Sequence, residues 1–165
     1  MHPMGVWLAW QRGRPVRVAR DGEARDLDDG IMYRSSWERN IARLMRFLNV
    51  QAAYEPVRFN FPGLSRQYSY LPDWKLRGVS VDVGERHYPT VFIELKGFYD
   101  LKSKRKIRNM AKYYGPKGIM VLVITEDIYK RIEDDYAEIV PHWERRRLNT
   151  YGNERGEQPE KHTDG

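Results

Sequence analysis

The chain contains no cysteine, which excludes both a disulfide framework and a zinc site built from thiolates. Its four histidines are scattered, so a metal site built from histidine is not expected either. No apolar run approaches the roughly 20 residues that cross a bilayer, and the N-terminus lacks the apolar region of a signal peptide. From these absences we expect a cytoplasmic protein of a reducing compartment, without a membrane partner.

Length and charge set two further bounds. At 165 residues the chain is expected to form one domain, large enough to bury a core. Its formal net charge of +6 suits a polyanionic partner, although many soluble proteins carry such a charge without one.

Two short segments, 71–74 and 91–98, contain the residues around which the chain is organised. Both are rich in β-branched or aromatic residues and are bounded by Gly or Pro, which predicts strands. Strand alternation places Glu94 and Lys96 side by side on one face of the second segment. Asp73 lies on the first. Charges on core-like strands are costly to bury unless they are paired or bound to a metal.

Two interpretations of these charges remain open. In the simpler one, Glu94 and Lys96 form a structural ion pair and Asp73 is a turn residue after Pro72. In the other, Asp73 and Glu94 are hard oxygen ligands for magnesium, and Lys96 holds or polarises a water molecule beside the ion.

A helix is predicted over residues 35–48, with Ser35 as its N-cap and Glu38 three residues later. Ser-x-x-Glu is a capping box, and on spacing alone the cap is the favoured role of Glu38. A carboxylate on this flank of the helix would also be able to face a metal site across the core. One apolar stripe is expected to be buried: Trp37, Ile41, Leu44 and Leu48, with Met45 beside it.

The remaining pattern predicts a strand over 57–61, a strand over 68–76, a hairpin over 78–89 with its turn near Gly84, and a fully buried strand over 119–124. Two further helices are expected, capped by Asp100 and Thr125. Their predicted inner faces are Ile107, Met110, Ala111 and Tyr114 in the first, and Ile128, Ile132, Tyr136 and Ile139 in the second. The outer face of the first is basic: Lys102, Lys104, Arg105, Lys106, Arg108 and Lys112.

These elements define the expected domain organisation. Residues 1–33 form a basic hairpin arm turning at Asp21-Gly22, either a solvated edge or an arm that contacts DNA or bridges a dimer. Residues 34–148 form the main domain, and the polar segment 149–165 is expected to be disordered. The fold class is α/β (α+β), with a mixed central sheet flanked by helices.

The order helix, three antiparallel strands, helix, strand resembles the core of the PD-(D/E)xK nucleases, and Pro72-Asp73 with Glu94-Leu95-Lys96 resembles their short signature. Further blocks are similar to the phage endonuclease I type of Holliday-junction resolvase over roughly residues 30–130. These blocks are Arg34-Ser35-Ser36-Trp37-Glu38, Tyr54-Glu55-Pro56, Tyr70-Leu71-Pro72-Asp73-Trp74, and the run from Glu94 to Lys104. The stretch between Asp73 and Glu94 is longer than in that family.

The resemblance implies a magnesium-dependent endonuclease that resolves branched DNA as a homodimer, in the host cytoplasm if it is phage-encoded. The implied catalytic residues are Glu38, Asp73, Glu94 and Lys96. Asp73, Glu94 and the backbone carbonyl of Leu95 would hold Mg²⁺, for which Mn²⁺ would substitute, and Glu38 would complete a second site or bind a metal-bound water. The implied phosphate-binding residues are Arg34, Lys102, Lys104, Arg105, Lys106 and Arg108.

Two alternatives stay open: a PD-(D/E)xK nuclease with a restriction, transposon-end or repair role, and an inactive DNA-binding module. Trp74, Phe98 and Tyr99 would be able to stack on an opened junction, but core packing is the favoured role of each.

Overall fold

The structure is a computed structural model that describes residues 24–26, 28–98 and 100–145. The predicted Asp21-Gly22 turn and the tail 149–165 lie outside these residues. In chain order the elements are β1 (Ala24–Arg25), β2 (Met32–Tyr33), α1 (Ser36–Phe47), β3 (Ala52–Tyr54), β4 (Trp74–Leu76), β5 (Val81–Val83), β6 (Arg86–Tyr88), β7 (Thr90–Lys96), α2 (Leu101–Tyr114), β8 (Ile119–Thr125) and α3 (Glu126–Tyr136), with 3₁₀ turns at Arg66–Tyr68 and Gly115–Lys117.

A mixed sheet of four strands, in the order β3-β4-β7-β8, organises the domain and confirms the expected mixed α/β class. Strands β3, β4 and β7 are antiparallel, and β8 runs parallel to β7. Strands β5 and β6 form the predicted hairpin, with Gly84 in the turn.

The sheet separates two apolar cores, as the alternation along β7 predicts. Val91 and Ile93 pack into one core together with side chains of α1 and α3. Phe92, on the opposite face, packs with Met110 of α2 and with Phe59 in the other core. Glu94 therefore emerges at the end of a strand whose preceding residues are buried on both faces.

Ion pairs join α1 to Asp26 and Glu144, which lie near the two ends of the described part of the chain. Arg43 Nε lies 2.9 Å from Asp26 Oδ2, and Arg43 Nη1 lies 2.9 Å from Glu144 Oε1. Arg39 binds the Glu144 carboxylate with two nitrogens, each at 2.7 Å. Because their charges are paired, these arginines can be buried together with the apolar residues of α1. The helix is therefore buried on nearly all sides, and the prediction of a single buried stripe is wrong.

Several local predictions are also wrong. Residues 57–61 do not form a strand: Phe59 makes an isolated bridge to Tyr70, and the chain pairs earlier, at β3. The pairing ends at Glu55, whose φ of 41° lies in the left-handed region, followed by Pro56, which has no N–H to donate. Strand β8 is a half-buried edge strand rather than a fully buried one.

Helical phase accounts for the remaining differences. Ala111 of α2 is exposed, and Tyr113 packs against the core instead. In α3 the buried residue is Tyr129, whereas Ile128 is 43% exposed. Three other residues expected in the core are largely exposed: Leu48, Ile139 and Phe98, the last at 82%. Trp74 is buried as predicted. Tyr99 lies outside the described residues.

No helix in the described part of the chain is long and apolar enough to cross a bilayer.

Candidate metal centre and anion cleft

Strand pairing brings together the two acids that the sequence singles out. Trp74 of β4 pairs with Ile93 of β7 in antiparallel register, so the next residues outward, Asp73 and Glu94, lie opposite one another. Both carboxylates are buried, at 7% and 3% exposure. Asp73 directly precedes β4, because the strand predicted over 68–76 is formed only over Trp74–Leu76. Two buried acids this close together form a compact anionic site.

Three donors hold these carboxylates in place. The backbone N–H of Leu95 donates to Asp73 Oδ2 at 2.7 Å. The Tyr70 hydroxyl donates to Glu94 Oε2 at 2.8 Å, and Lys96 Nζ lies 2.5 Å from Glu94 Oε1. The ion pair expected from the sequence is therefore present, and it lies beside Asp73 in the same site.

The surroundings of Asp73 disfavour its charged form, mainly because the carboxylate is buried. Burial, followed by repulsion from Glu94, raises the pKa of Asp73 to about 8 from its ordinary value of 3.8. Glu38 adds to this rise, while the Leu95 N–H and the charge of Arg34 oppose it. The site is thus arranged to take up a proton or another cation.

A cleft of about 370 Å³ opens onto these acids. Asp73, Glu94 and Lys96 line it together with Tyr70 and Leu71. The other lining residues include five with charged side chains: Arg34, Glu55, Arg58, Lys102 and Lys106. Acids that are almost inaccessible are therefore bordered by cations that are more exposed, an arrangement suited to an anion brought close to a metal ion.

The basic residues predicted to bind phosphate divide into two groups. Arg34, Lys102 and Lys106 line the cleft, whereas Lys104, Arg105 and Arg108 do not. Lys106 is half-buried, contrary to its predicted place on the outer face of α2, and burial, followed by the charges of Lys102 and Lys96, lowers its pKa.

The Glu38 side chain does not complete the predicted capping box, because it accepts the N–H of Arg34 rather than that of the N-cap, Ser35. Ser35 Oγ accepts the N–H of Glu38 at 3.2 Å, so the predicted N-cap is confirmed. Glu38 Oε2 accepts the backbone N–H of Arg34 at 3.0 Å and the Tyr54 hydroxyl at 2.5 Å. Glu38 is not among the residues that line the cleft, but it is close enough to raise the pKa of Asp73. It lies behind the site.

Glu55 is the acid of the cleft that the sequence reasoning did not single out. It is 4% exposed, forms an ion pair with Arg34, and its N–H donates to the Asp73 carbonyl at 2.6 Å. A non-glycine residue with positive φ is uncommon and is often found at functional sites. The available signal was the block Tyr54-Glu55-Pro56, which the resemblance to the resolvases includes without giving Glu55 a role. Arg58 and Tyr70 were also missed as cleft residues.

The donor set fits magnesium in part. Asp73 and Glu94 supply hard oxygen atoms and carry a mutual repulsion that a divalent cation would relieve. Among the described residues, no three His, Cys, Asp or Glu side chains form a ready group for a metal. Mg²⁺ is commonly held by one or two carboxylates together with several waters, so two acids and the Leu95 carbonyl are ligands of the kind that this ion uses.

The sequence matches no protein-family model, and no curated protein matches it. Function is therefore inferred from the chemistry of the cleft.

Proposed function

We propose that this chain is a magnesium-dependent, structure-selective DNA endonuclease with a PD-(D/E)xK core, hydrolysing phosphodiesters in Holliday junctions and other branched DNA. The observation that carries the proposal is the opposition of buried Asp73 and Glu94 across paired strands, with Lys96 beside them in a cleft bordered by cations. The family resemblance of the motif blocks supports the same reaction.

Asp73, Glu94 and the Leu95 carbonyl would hold Mg²⁺, which supplies charge neutralisation and activation of water when bound. The chain's own residues prepare this site. The Leu95 N–H and the Tyr70 hydroxyl orient the two carboxylates, so their oxygens need little rearrangement. Lys96 is the group that positions the attacking water, since its ammonium lies at the Glu94 carboxylate.

The cations of the cleft attract the phosphodiester and fix its position. Lys102 and Lys106 are one helical turn apart on α2 and both line the cleft, as does Arg58 on the opposite segment. Such contacts position a phosphate without reading the bases, in keeping with selectivity for the shape of the DNA. Cutting two strands of a junction requires two such clefts, which a homodimer would supply.

An inactive DNA-binding module would share the cationic border and would keep Glu94 and Lys96 as a structural pair. A nuclease with a restriction, transposon-end or repair role would share the acids as well. The three functions differ in metal dependence and in substrate.

The test compares a synthetic four-way junction with a linear duplex of the same sequence, each in Mg²⁺, Mn²⁺ or EDTA. We expect cleavage of the junction in either metal and none in EDTA, with the duplex cut far more slowly. Asp73→Asn should abolish cleavage and retain junction binding in EDTA. Binding without cleavage in either metal would indicate the inactive module, and equal cleavage of the duplex would indicate a nuclease of another role.

A further inference from the structure

Two large apolar side chains project into solvent next in the chain to residues of the cleft. Phe98 is 82% exposed and Leu101 is 84% exposed, whereas the next most exposed large hydrophobic side chain in the described chain, Ile139, is 55% exposed. The segment that carries them is bounded on each side by a cleft residue, Lys96 before it and Lys102 after it. We call Phe98 and Leu101 the apolar rim.

The backbone on both sides of the rim is anchored. Gly97 lies against Trp37, since a Cβ placed there would be 3.6 Å from the indole ring. The Asp100 carboxylate accepts the Ser103 N–H at 2.7 Å and fixes the start of α2 at Leu101. The described backbone on each side of the rim therefore contacts the rest of the domain, whereas the Phe98 and Leu101 side chains belong to neither core.

The cationic residues near the rim restrict the kind of partner that can cover it. Lys102 and Lys106 follow it along α2, and Arg58 borders the same cleft. A purely apolar partner would leave these cations without a counterpart, whereas a nucleic acid strand offers phosphates to the cations and flat apolar faces in its unpaired bases. Proteins that bind single-stranded nucleic acid combine a cationic groove with projecting aromatic side chains on which bases stack, a part that Phe98 could take here with Leu101 as an apolar neighbour.

We propose that the apolar rim, Phe98 and Leu101, is the docking surface for an unpaired base at a DNA branch point, with the adjoining phosphates on Lys102 and Lys106. This inference rests on the proposed function and adds the feature of the substrate that is recognised. Base docking of this kind tolerates any sequence, because every base has an apolar face. It would place the branch next to the Asp73–Glu94 site.

The test uses the full-length chain in EDTA, which separates binding from cleavage. Affinities are measured by fluorescence anisotropy for a three-way junction with unpaired bases at its branch and for a fully paired duplex of equal length. The rim variant is Phe98→Ala with Leu101→Ala. The matched control is Phe47→Ala with Leu48→Ala, which removes the same side-chain types from exposed positions elsewhere. Thermal melting checks that both variants are folded.

We expect the rim variant to lose roughly tenfold or more in affinity for the branched DNA and little for the duplex, as alanine replacement of a stacking side chain does. The control should match the wild type on both. Ultraviolet crosslinking of 5-iododeoxyuridine at the branch should label the peptide containing Phe98. Phe98→Trp should retain the preference for branched DNA.

Different failures overturn different claims. If the wild type cleaves junctions but the rim variant keeps its branch preference, the rim proposal is wrong and the proposed function stands. If the wild type neither binds nor cleaves branched DNA, both are wrong. If sedimentation shows that the rim variant separates a dimer while branch preference is unchanged, the rim is a contact between copies of this chain, which also overturns the proposal.

Discussion

Replacing Asp73 by asparagine should change how the stability of the protein depends on pH. The pKa of Asp73 is raised to about 8 in the folded chain from its ordinary value of 3.8, mainly by burial and by Glu94. Between these two values the folded state holds a proton that the unfolded state has lost. The contribution of Asp73 to the free energy of unfolding should therefore be highest below about pH 4 and should fall as the pH rises through 8.

The size of this effect follows from proton linkage. One proton bound only in the folded state changes the free energy of unfolding by about −1.4 kcal/mol per pH unit. In the Asp73→Asn variant the amide has nearly the same shape as the carboxyl group and its oxygen is able to accept the Leu95 N–H, but it does not titrate. The difference in unfolding free energy, wild type minus variant, should fall at up to this slope between about pH 5 and 7 and level off above about 8.

The assay is urea unfolding of both proteins in EDTA at several pH values. Subtracting the variant removes the titration of the shared groups that do not interact with Asp73. Repeating the series in Mg²⁺ should stabilise the wild type at about pH 8 and leave the variant nearly unchanged, because a ligand that binds only the folded state adds stability. A difference that stays flat, or that rises with pH, would refute the electrostatic account of the site.

Three further predictions test neighbouring residues. Glu38→Gln should melt near the wild type, since an amide oxygen is able to accept the Arg34 N–H, but it should cleave junctions much more slowly if the charge of Glu38 matters to the site. Ser35→Ala should lose about 0.5–2 kcal/mol of stability and still cleave at a permissive temperature. Normal cleavage by the glutamine variant would leave Glu38 with a structural role alone. Tyr70→Phe should lower the free energy of unfolding by about 1.5–3 kcal/mol at neutral pH, measured in urea, because it removes a hydrogen bond to the buried Glu94. Lys106→Ala should reduce the slope of log affinity against log salt by about 0.9, the value for one phosphate contact, while Lys112→Ala, outside the cleft, should leave it unchanged; equal effects would mean that the whole face of α2 acts as diffuse charge.

Those features that depend on local pattern were predictable from the sequence. The two faces of β7 follow from a period of two, and Asp100 and Ser35 cap helices through contacts with residues three positions away. The sequence allowed Asp73 to meet Glu94, because it predicted a strand around each acid; in the structure Asp73 directly precedes β4. That the two acids lie opposite one another follows only from the register of β4 and β7.

Features that depend on distant partners were not predictable. Glu55 enters the cleft because β3 ends there in a left-handed conformation, which no propensity of glutamate indicates. Lys106 faces the cleft rather than solvent because the packing of α2 on the sheet sets its rotation, and a basic run has no phase of its own. Arg39 and Arg43 are buried because Glu144 and Asp26 reach them, and sequence spacing gives no sign of that contact.

The ion pairs around Glu144 bear on when the domain can fold during synthesis. Glu144 is translated 105 residues after Arg39 and 101 after Arg43. Until it leaves the ribosome, Arg39 and Arg43 both lack one carboxylate partner, so the nascent chain gains less by docking α1 early. Helix α1 should consequently complete its packing last. A ribosome-stalled chain that ends before residue 140 should be cleaved by protease at α1, whereas a stalled chain long enough to bring Glu144 out of the exit tunnel should resist cleavage there.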